Sequence, residues 1–294
     1  MMTRIIVLFF VYFCTSVSAQ SQIRITFNPE KGETYTYRFV TEQISTQTAN
    51  GQEMKTNYSM EFLIEMIIKE KNNNEINMDY VYKGIVMVFS HPNMNFSVDS
   101  KNKNDNTPDI AKFFDCLVGK SLQIVVSPDG SVKSITGFQP IMENMHTVFS
   151  SADKDVQRIA GMFIQMSFHE FAIKSNFEQS FKLYPDKEIK VGDSWSIDKS
   201  LAVGKITNNV FNTYMLKSVN DDIALIDLTV DSSLKNESTD REFKNEQKGE
   251  IMLNVKNGML LQLSSTENSN RRINVQGSDI ISNSTTKVTV YLQQ

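Results

Sequence analysis

Between Tyr58 and Ile68 every second residue is apolar: Tyr58, Met60, Phe62, Ile64, Met66 and Ile68. Ser59, Glu61, Glu65 and Lys69 take most of the positions around them. A period of two puts the first set on one face of a β-strand and the second on the other. After the polar turn Lys71 to Asn74, the pattern resumes with Ile76, Met78, Tyr80, Tyr82, Val86 and Val88. Strands this long lie near or beyond the upper end of the usual range. Two of them side by side, each apolar on one face, call for a strongly curved sheet or a barrel-like wall.

The same alternation frames most of the chain. Tyr35, Tyr37 and Phe39 share one face of an earlier strand, and Asn50-Gly51 marks its turn. His91-Pro92-Asn93 breaks the pattern, and Lys101 to Pro108 reads as a solvated connection before a short helix from Asp109 to Leu117. Leu122, Ile124 and Val126 lead into the hairpin turn Pro128-Asp129-Gly130, with a return strand through Ile135. Further strands are expected at Lys205 to Val219, Ile223 to Leu234, Glu250 to Val255, Met259 to Leu263 and Lys287 to Leu292. Lys31-Gly32-Glu33-Thr34-Tyr35 is echoed by Val191-Gly192-Asp193-Ser194-Trp195, and the turn Asn257-Gly258 takes the place that Asp129-Gly130 has earlier. This short signature points to an internal duplication. The lone Trp195, entering a strand after a glycine turn, is expected to be a core anchor.

Only one long stretch, Phe138 to Lys182, carries helical spacing. Val156, Ile159, Ala160 and Phe163 fall on one helical face. Met162, Ile164, Met166, Phe168, Phe171 and Ile173 make its second half apolar nearly all round, which implies burial on more than one side. Ser150-Ser151-Ala152-Asp153 is the expected break between two helices. The fold class is therefore α+β: mostly antiparallel sheet in two related curved units, with a central helical segment laid against them. The corresponding division is 1–19 signal peptide, 20–137 first β unit, 138–185 helical segment and 186–294 second β unit.

The first nineteen residues read as an export signal. Arg4 precedes the short apolar run Ile5 to Phe13, and Val17-Ser18-Ala19 offers small residues for cleavage. The run is about half of the ~20 residues that span a bilayer. Tyr12 and Phe13 before Cys14 do not suit lipoprotein processing, so no lipid is expected there. An exported protein, periplasmic or extracellular and soluble after cleavage, is the expectation. Removal of Arg4 leaves 29 basic against 34 acidic residues, a net −5, which disfavours nucleic acid or an anionic membrane as partner. Cys116 is then the single cysteine, so no internal disulfide forms.

Catalytic signatures are missing. His169-Glu170 resembles the start of a zinc-protease helix, but Ile173 stands where the second ligand would be. Ser151 and Lys154 have the spacing of a serine acyl-transfer pair without the elements that complete such a site. No metal ligands and no cofactor are expected. What remains is apolar inventory: thirteen methionines past the signal, with Phe and Met dominating the long first hairpin and the helical stretch. Flexible Met and flat Phe fill irregular cores, and they also line sites for varied hydrophobic ligands. The candidate ligand-binding residues are Phe62, Met66 and Tyr80 on the sheet, facing Phe163, Met166 and Phe171 on the helices.

Gly32-Glu33-Thr34-Tyr35, Val98-Asp99-Ser100 and the stretch from Gly119 through Asp129-Gly130 to Gly137 resemble a known family, as do Val191 to Trp195 and Gly249 to Met259. The chain is similar to the secreted proteins grouped as domain of unknown function family 6263, found mainly in Bacteroidota. That resemblance implies a bacterial envelope location and supplies no activity or site. A long-stranded curved sheet with an apolar helical plug is also similar, more loosely, to periplasmic lipoprotein carriers of the LolA kind. The function expected is a non-enzymatic envelope protein that binds a hydrophobic small molecule or an envelope protein. The alternatives are a structural or assembly component of the envelope, and a hydrolase assembled from scattered residues such as His146, His169 and Asp193.

Overall fold

A computed structural model describes residues 22–102, 109–151, 154, 157, 170–203, 206–236, 241–275 and 278–293. Its strands are β1 (Thr34–Ala49), β2 (Gln52–Lys71), β3 (Ile76–His91), β4 (Met94–Asp99), β5 (Ser121–Val126), β6 (Val132–Thr136), β7 (Ser194–Val203), β8 (Ile206–Asn220), β9 (Ile223–Asn236), β10 (Arg241–Asn254), β11 (Leu260–Val275) and β12 (Ser278–Gln293). The described helices are α1 (Asp109–Asp115), α2 (Phe138–Ser151) and α3 (Glu170–Phe181). The fold is mostly antiparallel β, in one open sheet ordered β6-β5-β3-β2-β1-β12-β11-β10-β9-β8-β7, with β4 also paired to β3.

Local chemistry accounts for the turns. Asn50 and Gly51 both have positive φ, at 51° and 75°, and join β1 to β2 in the two-residue hairpin that Asn-Gly favours. Asn72 accepts hydrogen bonds from the Asn74 and Glu75 amides, which turns β2 back into β3. The inner face of this hairpin is apolar and buried at Met60, Ile64, Met66 and Ile68. Cross-strand ion pairs lie on the outer face of the sheet: Arg38 with Glu61 and Lys83 with Glu65 at 3.5 Å here, and, among β8 to β10, Lys217 between Asp227 and Glu250 at 3.2 and 3.1 Å.

In β3 the expected face does not run straight through. Ile64 pairs with Tyr82 and Leu63 with Gly84, so Lys83 is an extra residue in a β-bulge. One inserted residue exchanges the two faces of everything beyond it. Ile85 and Met87 turn inward, while Val88, expected on the apolar face, is 46% exposed. His91-Pro92-Asn93 also does more than interrupt a pattern: His91 pairs with Met94 across a tight turn into β4.

The strands of the second half extend far beyond their apolar cores. β10 begins at Arg241 rather than near Glu250, β11 runs on to Val275, and β12 begins at Ser278 rather than near Lys287. Their additional residues are mostly polar, and hydropathy carries little mark of them. They are strand because each has a partner on both sides: β11 pairs β10 and β12 along its length, and β12 pairs β1 from Ala49↔Ile280 to Thr36↔Gln293. The strands before and after the helical segment thus join edge to edge through β12.

The two glycine turns have the same hydrogen bonding. Gly32 donates to Ile68 O at 2.8 Å and Glu33 O accepts from Ile68 N at 2.9 Å; Gly192 donates to Leu216 O at 2.8 Å and Asp193 O accepts from Leu216 N at 3.0 Å. Both glycines have φ near +90°. The segment before β1 ties the two later hairpins together, with Phe27 N bonded to Pro128 O and Asn28 N to Asn257 O.

Candidate functional site

The inner face of the sheet and the helices enclose two adjoining chambers. The larger, about 760 Å³, is lined by Tyr37, Met66 and Tyr80 from one flank of the sheet and by Val210, Tyr214 and Leu228 from the other. β3 and β8 are seven strand steps apart along the sheet. At about 4.8 Å per step that is roughly 34 Å, yet both border this one space. The sheet must therefore curl around it. The smaller chamber, about 320 Å³, lies between Met60, Phe62 and Tyr82 on the sheet and Phe138, Ile141 and Ile173 on the helices. Phe39, Tyr80, Phe177 and Ser180 border both.

α3 supplies the partition. Ile173, Phe177 and Phe181 recur at four-residue spacing and are all buried. Phe177 meets Tyr80 edge-on at 4.8 Å, and Phe181 meets Phe27 in the same manner at 5.4 Å. Tyr184 extends this aromatic floor and donates to Gly258 O at 2.8 Å. Burial pushes the Tyr58 and Tyr82 hydroxyls up to about 12, and the Tyr80 hydroxyl well above its ordinary value, with its Tyr82 and Tyr37 neighbours adding to the shift. These phenols stay neutral, as an apolar lining requires.

Along β8 to β11 the larger chamber changes character. Ile251 and Leu263 make it apolar near its floor, whereas Asn212, Ser232, Asn245, Gln247, Ser265 and Glu267 form a polar band further along the same inner face. Gln247 donates to Ser265 Oγ at 2.9 Å, and Asn212 to the Tyr214 hydroxyl at 3.3 Å. Burial raises the pKa of the Glu267 carboxyl, and the hydrogen bond from Asn245 pulls it partly back. Arg271 lies over the Phe243 ring at 5.5 Å.

The sheet residues singled out from sequence all reach this region. Phe62 lines the smaller chamber and meets Tyr82 edge-on at 5.9 Å. Met66 lines the larger, and Tyr80 lines both. Phe163 and Met166 lie outside the described residues. Phe171 falls in α3, and its side chain is likewise outside the description. Sequence reading passed over Phe177 and Phe181, although their spacing from Ile173 marks one helical stripe. It also passed over the whole second-half wall. Trp195 is 8% exposed, donates to Leu183 O at 3.0 Å and stacks on Tyr214 at 5.4 Å, as a core anchor.

The alternative catalytic set does not assemble among the described residues. His146 is exposed on α2, and Asp193 accepts from the Lys190 amide at 3.0 Å as a turn cap. His169 lies outside the description. No cluster of three or more His, Cys, Asp or Glu suited to a metal occurs among the described residues. Cys116 is buried and free, its thiol pKa raised by burial. A separate open groove of about 710 Å³ borders Arg24, Glu75, Asp129 and Lys133. There the Asp129 carboxylate is already held by the Ser131 amide and hydroxyl, and Lys133 by Glu75 at 3.1 Å.

Fold and chambers together define a large open antiparallel sheet curled around an apolar, amphipathic-walled space. The chain belongs to a family of unknown function, DUF6263, whose pattern it matches over residues 73–278. No curated protein matches it. Among solved structures it is similar to lipovitellin, in a study of lipid–protein interactions, with a TM-score of 0.50 and 11% identity; the match covers 90% of this chain and 25% of that one. This chain thus spans about a quarter of the lipovitellin chain, and the likeness is one of fold. It also aligns with OpdQ of Pseudomonas aeruginosa at a TM-score of 0.28 and 8% identity, covering 89% of this chain and all of that one. No helix among the described residues is long and apolar enough to cross a membrane.

Proposed function

We propose that this protein binds a hydrophobic small molecule in the chamber between its sheet and α3, without acting on it chemically. The observation that carries the reading is the 760 Å³ space whose walls come from both flanks of one curled sheet. Ligand sites fall at roughly 300–1,000 Å³, mostly apolar with a few placed polar groups, and this chamber has that size and make-up. The fold likeness to lipovitellin, studied for its interactions with lipid, supports the same reading. Phe62, Met66, Tyr80 and Phe177 would be contact residues, with Phe163, Met166 and Phe171 on the helical side. Native mass spectrometry and organic extraction of the protein purified from its own cells test this. A stoichiometric apolar adduct is the expected result; protein that is empty and takes up no added amphiphile would overturn it.

We read the protein as exported, through the signal at residues 1–19, and as an envelope component. A mass for the mature N-terminus just after Ala19, with no diacylglycerol on Cys14, is the expected result. The matched glycine turns support reading residues 20–137 and 186–294 as two related units flanking the helical segment 138–185, which share one sheet through β12. In that reading β1-β2-β3-β5-β6 corresponds to β7-β8-β9-β10-β11, in the same order across the sheet.

A further inference from the structure

The polar band of the larger chamber has an order that the apolar reading leaves unexplained. On β10 the inward residues are Ile251, Gly249, Gln247 and Asn245 in succession towards its first residue, Arg241. Gln247 sits directly across from Glu267 on β11, and Asn245 across from Ser232 on β9. Gly249 lies between the apolar and polar levels, opposite Ser265, and a Cβ there would stand 2.6 Å from the Ser265 Cβ. The wall therefore changes from hydrocarbon to hydrogen-bonding groups within two inward positions, about 14 Å of strand.

The band has an unmet acceptor. The Asn245 amide N–H₂ is directed to the Glu267 carboxyl, while Asn245 Oδ1 is buried and has no hydrogen-bond partner. Buried polar atoms are nearly always satisfied, and an orphan in a chamber wall is an invitation to a donor. Gln247 Nε2 donates to Ser265 Oγ. Asn245 Oδ1 and the Glu267 carboxyl beside it can only accept, so together they would take donors from an incoming molecule. Arg271, stacked on Phe243 one level further out, is the cation that an anionic head would seek instead.

We infer that this band is a head-group subsite, and that the ligand is an amphiphile with an uncharged head bearing hydroxyl or amide donors, seated with its tail among Tyr37, Met66 and Ile251 and its head on Asn245 and Glu267. This rests on the ligand-binding reading above and specifies the chemical class. A head without donors would leave Asn245 Oδ1 orphaned. A carboxylate head would set its charge beside Glu267.

Calorimetric titration of the delipidated full-length protein with 1-monooleoylglycerol, methyl oleate and, at pH 8, oleate tests it. Monooleoylglycerol is expected to bind roughly ten-fold tighter than methyl oleate, the usual worth of a buried hydrogen bond set, with oleate the weakest. Asn245→Leu should abolish that preference by weakening monooleoylglycerol to the level of methyl oleate. Glu267→Gln, which keeps an acceptor and removes the charge, should retain monooleoylglycerol and improve oleate. The wild-type ranking stands by itself if a variant fails to fold. Equal affinities, or oleate as the tightest ligand, would overturn the head-group assignment while leaving the chamber reading intact. No binding of any of the three would count against the chamber reading itself.

Discussion

A Cβ on Gly258 would overlap the Thr26 carbonyl oxygen, and one on Gly130 would overlap that of Phe181. Each hairpin tip is pressed against a passing segment of backbone, and both glycines have positive φ. Gly32 shares the backbone conformation but has open space where its Cβ would be. Gly32→Ala should thus cost about 1–2 kcal/mol, the left-handed strain alone. Gly130→Ala and Gly258→Ala should each exceed about 3 kcal/mol, because packing as well as strain is lost; urea melts of the three variants check the ranking. The chamber tyrosines set a second expectation. With Tyr58 and Tyr82 pushed up to about 12 from 10, the folded chain holds protons that the unfolded chain releases. Their contribution is complete below pH 10 and is lost as pH rises through about 12. Phenolate absorbance should therefore appear together with loss of structure in that window, and a phenolate signal well before unfolding would show the rings to be solvated.

At the scale of elements, α3 and the Trp195 turn make opposite demands on their large side chains. Trp195 is packed on Tyr214 and hydrogen-bonded through Nε1, so Trp195→Ala should cost roughly 3–5 kcal/mol. Phe177 borders both chambers and has hollow space beside it. A bound molecule can fill the space its removal opens, so Phe177→Ala should cost clearly less in the loaded protein, about 1–3 kcal/mol, while merging the chambers and changing the bound molecule. Denaturant melts with and without extracted lipid separate the two cases. A Phe177→Ala penalty as large as that of Trp195→Ala, with no recovery on adding lipid, would mark a filled core.

The whole molecule depends on its last strand. β12 has β1 on one side and β11 on the other, with five strands of the sheet path beyond it in each direction. Its pairing with β1 joins positions near the two ends of the described chain, a contact that folding makes slowly because the loop to be closed is so long. Hydrogen exchange should accordingly be slowest in the lower, apolar-flanked parts of β1, β11 and β12 and fastest in the edge strands β6 and β7. Deletion of residues 278–293 should expose two long unpaired edges and give aggregation rather than a smaller folded protein. A soluble, cooperatively melting truncation would show that the halves stand alone.

Alternation at Tyr58 to Ile68, the Asn50-Gly51 and Asp129-Gly130 turns and the helical start at Phe138 were determined by local chemistry, because side-chain period and turn conformation belong to a few consecutive residues. So was the candidacy of Phe62, Met66 and Tyr80, since a one-sided strand in a long hairpin has to face whatever the sheet encloses. Tertiary structure decided the rest. Lys83 becomes a bulge only because β2 has one residue fewer at that point, a property of the pair. The polar ends of β10, β11 and β12 are strand because partners lie on both sides, and backbone pairing leaves no mark on hydropathy. That Val210, Tyr214 and Leu228 share a chamber with Met66 and Tyr80 depends on the accumulated curl of the sheet, and curl is a sum over many strands that no single stretch of sequence contains.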